Sequence, residues 1–281
     1  MKANLSEVLE AIQPGAVASF NVLDLDMARA VIEAAEELAL PAIIGIASRH
    51  YTDIGTPALV PSLLKMINDC SQPIALHLDH ASADQLPMVR EALDLGFSSI
   101  MIDGSRLPYT ANVELTAQVV EWARPYGAGV EGELGAVAGE EGVADTGSDT
   151  APAMPYTDPD EAFHFVKQTN INALAIAVGT AHGIYTEEPH IHYETIINIA
   201  KVSSVPLVMH GATGVSDQAI RQSVTFGIRK INFFSGLLQA AMEEVRHSAV
   251  DKDNDYLGLK TRIAQRWGSL MRQQMSLYAG Q

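Results

Sequence analysis

The chain has 281 residues, 47% of them hydrophobic and 19% charged, so it can bury a sizeable core and its composition excludes intrinsic disorder. Lysine and arginine number 18 against 34 acidic residues, a formal net charge of −16 with no basic stripe, which excludes nucleic acid as a partner. Cys70 is the only cysteine, so there is no intrachain disulfide, and the longest apolar stretch, Leu38 to Ala47, is about half of a bilayer-spanning helix. The first residues have no signal-peptide pattern; no membrane association and a cytoplasmic location are the default expectations.

Strand-like and helix-like stretches alternate along the whole chain. Ala16–Phe20 reads as a strand, Met27–Ala39 as an amphipathic helix, and Ala42–Ile46 and Ile74–Leu78 as buried strands. A helix over Leu86–Leu95, stopped by Gly96, leads to a strand at Ser99–Ile102, a helix over Val113–Trp122 and a strand at Gly129–Glu133. Residues 136–156 break the pattern, lack core-facing periodicity and are expected to form a mobile active-site loop. Asp158-Pro159 starts a helix over Asp160–Gln168, followed by strands at Ala173–Ala177 and Leu207–Met209. Ser216 caps a helix over Asp217–Phe226 that ends at Gly227, before a last strand at Ile228–Ile231. These eight strand runs, with short connections, predict a (β/α)8 TIM barrel in which residues 1–281 form a single domain, with an extra C-terminal helix at 255–278.

Three of the strand runs end in histidine: Ile74-Ala-Leu-His-Leu-Asp79-His80, Ala175-Ile-Ala-Val-Gly-Thr-Ala-His182 and Pro206-Leu-Val-Met-His210. Strand carboxyl ends converge at one rim of an α/β barrel, so His80, His182 and His210 are candidate ligands of a Zn²⁺ ion that keeps an open position. A lone histidine at a strand end is usually a core or surface residue; three at the same structural phase point to a metal. Asp79, next to a ligand, is placed to move a proton at whatever the ion polarises. His77 shares the face of Asp79 and is expected to line the interior or orient a neighbour. His210-Gly-Ala-Thr-Gly214 and Asn232-Phe-Phe-Ser-Gly236 follow the seventh and eighth strands, where barrels commonly seat a phosphate on backbone N–H groups.

With these motifs the chain resembles the class II, metal-dependent ketose-phosphate aldolases, which include fructose-1,6-bisphosphate and tagatose-1,6-bisphosphate aldolases. The resemblance is carried, in order, by Phe20-Asn21, Leu76-His-Leu-Asp-His80, Met101-Ile-Asp-Gly-Ser105, Glu131-Gly-Glu-Leu-Gly135, Gly139-Glu-Glu141, Tyr156-Thr-Asp-Pro159, Val178-Gly-Thr-Ala-His-Gly183, Val208-Met-His-Gly-Ala212 and Lys230-Ile-Asn232. It implies one catalytic Zn²⁺ on His80, His182 and His210, with Asp103 and Glu133 as a possible auxiliary site for a second divalent or monovalent cation. Asp79 and Glu141 become the proton-transfer residues, Glu141 from within the 136–156 loop. Asn21, Gly183, Gly211, Ala212, Thr213, Asn232, Phe233 and Ser235 fall at substrate- or phosphate-contacting positions. The implied reaction cleaves or forms a ketose 1-phosphate or 1,6-bisphosphate through a dihydroxyacetone phosphate enediolate and an aldehyde, in a homodimer or homotetramer.

Thr213 and Ser235 depart from the family's usual serine and threonine, and both keep a hydroxyl. The family's C-terminal arginine motif for a second phosphate is not matched by Tyr256-Leu-Gly-Leu-Lys-Thr-Arg262, which leaves Lys260, Arg262 or Arg49 as substitutes and keeps a sugar-acid phosphate open as substrate. Two alternatives stand beside this reading: a Schiff-base aldolase using Lys230, and a non-catalytic sugar-phosphate-binding barrel.

Overall fold

The structure is a computed structural model that describes residues 1–139, 155–185, 187–250 and 255–281. Eight parallel strands close into a barrel in chain order: β1 (Val17–Asn21), β2 (Ala42–Ala47), β3 (Ile74–Ala81), β4 (Ser99–Ile102), β5 (Gly129–Leu134), β6 (Ala173–Ile176), β7 (Leu207–Met209) and β8 (Ile228–Asn232). Periodicity alone did not dictate closure; the pairing of β1 with β8, Val17 opposite Lys230 and Ser19 opposite Asn232, provides it. All six residues of β2 are buried, because one face points into the barrel and the other meets helices, and that is why the run is continuously apolar rather than alternating.

Ten helices lie among the described residues: α1 (Leu5–Glu10), α2 (Leu25–Leu38), α3 (Thr56–Asp69), α4 (Leu86–Leu95), α5 (Tyr109–Ala123), α6 (Pro159–Thr169), α7 (Tyr193–Val202), α8 (Asp217–Phe226), α9 (Ser235–Val250) and α10 (Tyr256–Ala279). The expected caps are in place. Asp158 accepts from the N–H groups of Asp160 and Glu161 at the start of α6, and Ser216 from Ala219 at the start of α8. Gly96 and Gly227 end α4 and α8 with φ of +99° and +133°, a region that favours glycine.

The C-terminal helix is one residue out of step with the expectation, since Asp255 is the cap and Tyr256 the first helical residue. It packs along α2 and α9, the Trp267 Nε1–H donates to the Leu237 carbonyl at 2.9 Å, and the Tyr278 carbonyl accepts from Ala16 N–H just before β1. Helix α1 is an element that the strand-and-helix alternation does not include. Asn4 and Glu7 form its capping box, and Leu5, Val8 and Leu9 are buried across the amino ends of β3 and β5. Leu5 lies so close to Gly129 that a Cβ there would approach its side chain to 2.6 Å. No helix among the described residues is long and apolar enough to cross a membrane.

Candidate active site

Strand β3 carries the centre of the site. Its alternation sends His77 and Asp79 inward, both 0% exposed. His77 Nδ1 meets Ser99 Oγ at 2.6 Å and its Nε2 lies 3.5 Å from Asp79 Oδ1, which is the orienting position expected for it. On the other side, Asn21 Nδ2 donates to Asp79 Oδ2 at 2.8 Å and Asn232 Nδ2 to Oδ1 at 3.2 Å. Burial raises the Asp79 pKa, but His80, the His77 hydrogen bond, His210 and Lys230 outweigh it and hold the carboxyl well below its usual range. Asp79 is therefore an immobilised carboxylate and not a helix cap; Ser82 and Gln85 cap the following turn themselves.

His80 would face away from Asp79 in a regular strand. The β3–β4 register shifts between Leu78 and Ala81, and His80 takes a left-handed backbone with φ +53°. That slip brings its imidazole to the other two. Ring nitrogens of His80, His182 and His210 lie within 4.8 Å of one another, with His80 Nε2 and His210 Nδ1 3.1 Å apart, a spacing that could hold a metal ion. Two nitrogens sharing a tetrahedral zinc at ordinary bond lengths stand roughly 3.3 Å apart.

The imidazoles are set by their outer neighbours. His210 Nε2 lies 2.9 Å from Glu131 Oε1, so its N–H donates there and the Nδ1 lone pair faces the cluster. Glu131 is in turn ion-paired with Lys230 at 2.8 Å, both side chains fully buried. Burial opposes charge on Glu131, yet the Lys230 ammonium and His210 lower it to about 2.

His80 Nδ1 faces carboxylates, with Asp103 Oδ2 at 3.5 Å and Glu133 Oε2 at 3.8 Å, and these three form a second group with ion-binding spacing. Burial and the Asp103 charge push Glu133 up to about 8, and its Oε2 is buried without a hydrogen-bond partner. Against the penalty of burial, Asp79, Asp103 and Glu133 raise His80 to about 10, while burial and His80 lower His210 to about 4. The donor set of three imidazoles and two carboxylates, together with the orphaned Glu133 oxygen, fits a divalent cation.

The remaining candidates divide. Asn21 and Asn232 hold Asp79, Gly183 and Gly211 are buried at the rims after β6 and β7, and Ser235 begins α9. Ala212, Thr213 and Phe233 line a recess of about 290 Å³ walled also by Glu243 and Arg266, whereas His80, His182, Asp103 and Glu133 line a larger cavity of about 430 Å³. Glu141 and most of the 136–156 loop lie outside the described residues. Of the proposed second-phosphate residues, Lys260 pairs with Asp26 and Arg262 with Glu244, away from the larger cavity; Arg49 lines it.

Sequence reasoning missed the support roles of Glu131, Ser48 and Tyr185. Glu131 shares the inward phase of Glu133, a signal the strand alternation already contains. Tyr185 accepts from Ala181 N–H at 2.7 Å and its hydroxyl lies 2.7 Å from the Gly211 carbonyl, tying the His182 and His210 loops together. Gly211 is required there: its φ is +69°, and a Cβ would stand 2.3 Å from the Ala181 carbonyl oxygen.

Comparison with known proteins bears on the chemistry. A sequence profile described as fructose-bisphosphate aldolase class-II matches residues 3–279. The protein YdjI of Escherichia coli K12 is 35% identical over 88% of this chain and 86% of its own. The crystal structure of the YdjI aldolase covers 99% of this chain and 97% of its own with a TM-score of 0.86 at 31% identity. The 6-phospho-5-dehydro-2-deoxy-D-gluconate aldolase of Halalkalibacterium halodurans is 36% identical over 86% of this chain and 83% of its own. The fructose-bisphosphate aldolase of Geobacillus stearothermophilus is also 36% identical, over 91% and 87% respectively.

Proposed function

The chain belongs to the class-II fructose-bisphosphate aldolase family and is thus a metal-dependent aldehyde-lyase acting on phosphorylated sugars; we propose that its ion is zinc, held by His80, His182 and His210. We further propose that it cleaves or forms a ketose 1-phosphate or 1,6-bisphosphate, with dihydroxyacetone phosphate and an aldehyde as the two halves. His80, His182 and His210 would hold the divalent ion, which when bound would supply an electrophile for the ketose carbonyl and a sink for the electron pair of the breaking carbon–carbon bond. Asp79 takes the proton from the hydroxyl two carbons beyond the carbonyl, so that this carbon leaves as the aldehyde. Asn21 and Asn232 fix the Asp79 carboxylate in position, and His77 backs it from within the barrel. Glu141 returns a proton to the carbon left behind. The rims after β6, β7 and β8 hold the phosphate through the N–H groups around Gly183, Gly211 and Ser235.

The observation that carries this reading is a buried, doubly anchored carboxylate directly beside three converging imidazoles. Zinc-reconstituted protein is expected to condense dihydroxyacetone phosphate with an aldehyde, and chelation to abolish product; turnover that survives chelation and is trapped by borohydride would sink it. The Schiff-base alternative fits poorly, because Lys230 is fully buried, paired with Glu131 and bonded to Asn232 Oδ1 at 2.8 Å. The binding-protein alternative predicts that no aldehyde is consumed at all.

A further inference from the structure

We infer that Asn112, in the first turn of α5, is a positioning residue: it fixes the Asp103 and Glu133 carboxylates behind His80 and so governs how tightly the imidazoles hold their ion. The inference rests on the metal-dependent reading above and concerns a residue that does not line the cavity of about 430 Å³. Asn112 is 1% exposed and acts from beneath the rim.

The need for such a residue follows from where the strands stop pairing. The β4–β5 ladder runs from Ser99 opposite Gly129 to Ile102 opposite Gly132, and Asp103 and Glu133 are the residues that follow its last rung. Each is held on its other side. The Asp103 N–H donates to the Ala81 carbonyl at 2.7 Å, which ties it to β3, and Glu133 stands opposite Ala175 in the β5–β6 ladder. Asn112 spans the opening between them. Its Nδ2 donates to the Glu133 carbonyl at 2.8 Å, and its side chain lies so close to Gly104 that a Cβ there would stand 2.3 Å from Asn112 Oδ1.

The amide has one defined orientation. Thr116, one turn further along α5 and fully buried, donates its hydroxyl to Asn112 Oδ1 at 3.1 Å, which leaves Nδ2 for the Glu133 carbonyl. An apolar side chain could fasten α5 to the barrel equally well, but it would leave that carbonyl without this donor. The carboxylates placed in this way meet His80 on its outer side, with Asp103 Oδ2 at 3.5 Å and Glu133 Oε2 at 3.8 Å from Nδ1. Partners on the far nitrogen of a ligating imidazole fix its tautomer and aim its lone pair, and losing them lowers metal affinity about 10–100-fold. Asn112 works one step further out, through the backbone that carries those partners, so its effect belongs at the lower end of that range.

The test measures zinc affinity of the full-length protein by chelator competition, with the unfolding midpoint of the metal-free protein recorded beside it. Asn112→Ala is expected to bind zinc about tenfold more weakly. Adding Gly104→Ala places a methyl group in the space left by the amide; it is expected to raise the midpoint without restoring affinity, because no donor reaches the Glu133 carbonyl. Leu5→Ala, at the other end of the barrel, is expected to lower the midpoint and leave affinity unchanged, which separates this role from a loss of stability. Thr116→Val keeps the shape but frees the amide to turn, and a smaller loss of affinity is expected. Wild-type affinity in Asn112→Ala, or its return in the double variant, overturns the role. If Asn112→Ala does not fold, unchanged affinity in Thr116→Val overturns it instead. A wild-type protein that takes up no zinc removes the ion from the proposed function and this role with it, whereas zinc held equally by wild type and variants removes only the role of Asn112.

Discussion

At the amino ends of the strands the barrel is closed by Leu5, Val8 and Leu9 of α1, whereas toward the carboxyl ends its interior holds His77, Asp79, Glu131, His210 and Lys230, all 0% exposed. Apolar closure stabilises by removing surface from water, roughly 25 cal/mol for each Å². Buried charges must instead recover a desolvation penalty through partners, and hydrophobic replacements of the same volume are often no less stable. The floor therefore contributes stability, and the rim is maintained for its chemistry.

The sharpest way to break this division is at Asp79. Asp79→Asn is isosteric, and Asn21 can turn its carbonyl oxygen toward the new amide, so zinc content and the unfolding midpoint should be nearly retained. Turnover should fall by about 10²–10⁴-fold in steady-state kinetics. Next in size is Lys230→Met, which leaves Glu131 as an uncompensated buried charge and is expected to destabilise by about 3–5 kcal/mol in denaturant titration. Adding Glu131→Leu should recover most of that stability without recovering activity, which only a rim kept for chemistry predicts. On the floor, Leu5→Ala should cost about 2–5 kcal/mol of stability while kcat of the folded protein stays unchanged. The smallest effect is expected for Glu131→Gln, which keeps an acceptor for His210 but removes its charge. Zinc affinity measured by chelator competition should drop about 10–100-fold.

The floor and the rim were unequally legible in the sequence. Continuous apolar runs such as Ala42–Ala47, with capping residues between them, indicate buried parallel strands and their helices, because periodicity and caps are local properties. Helix α1 escaped because six residues are too few for a periodic signal; the Asn4–Glu7 capping box was the available clue. At the rim, histidines ending three runs were visible as residue types at a shared phase. Their convergence depends on closure of the barrel and on the slip beside His80, neither of which is encoded in a local pattern. The partnership of Glu131 with His210 and Lys230 joins residues 79 and 99 positions apart, beyond the reach of spacing arguments.

The slip in the β3–β4 ladder has a consequence for any attempt to rebuild this chemistry elsewhere. A regular strand presents alternate residues to one side, so adjacent residues such as Asp79 and His80 serve the same centre only where the pleat is interrupted. Grafting the dipeptide onto an idealised scaffold strand would deliver the proposed base or the proposed ligand, not both. The transferable unit is the kinked backbone together with the neighbouring strand that accommodates it.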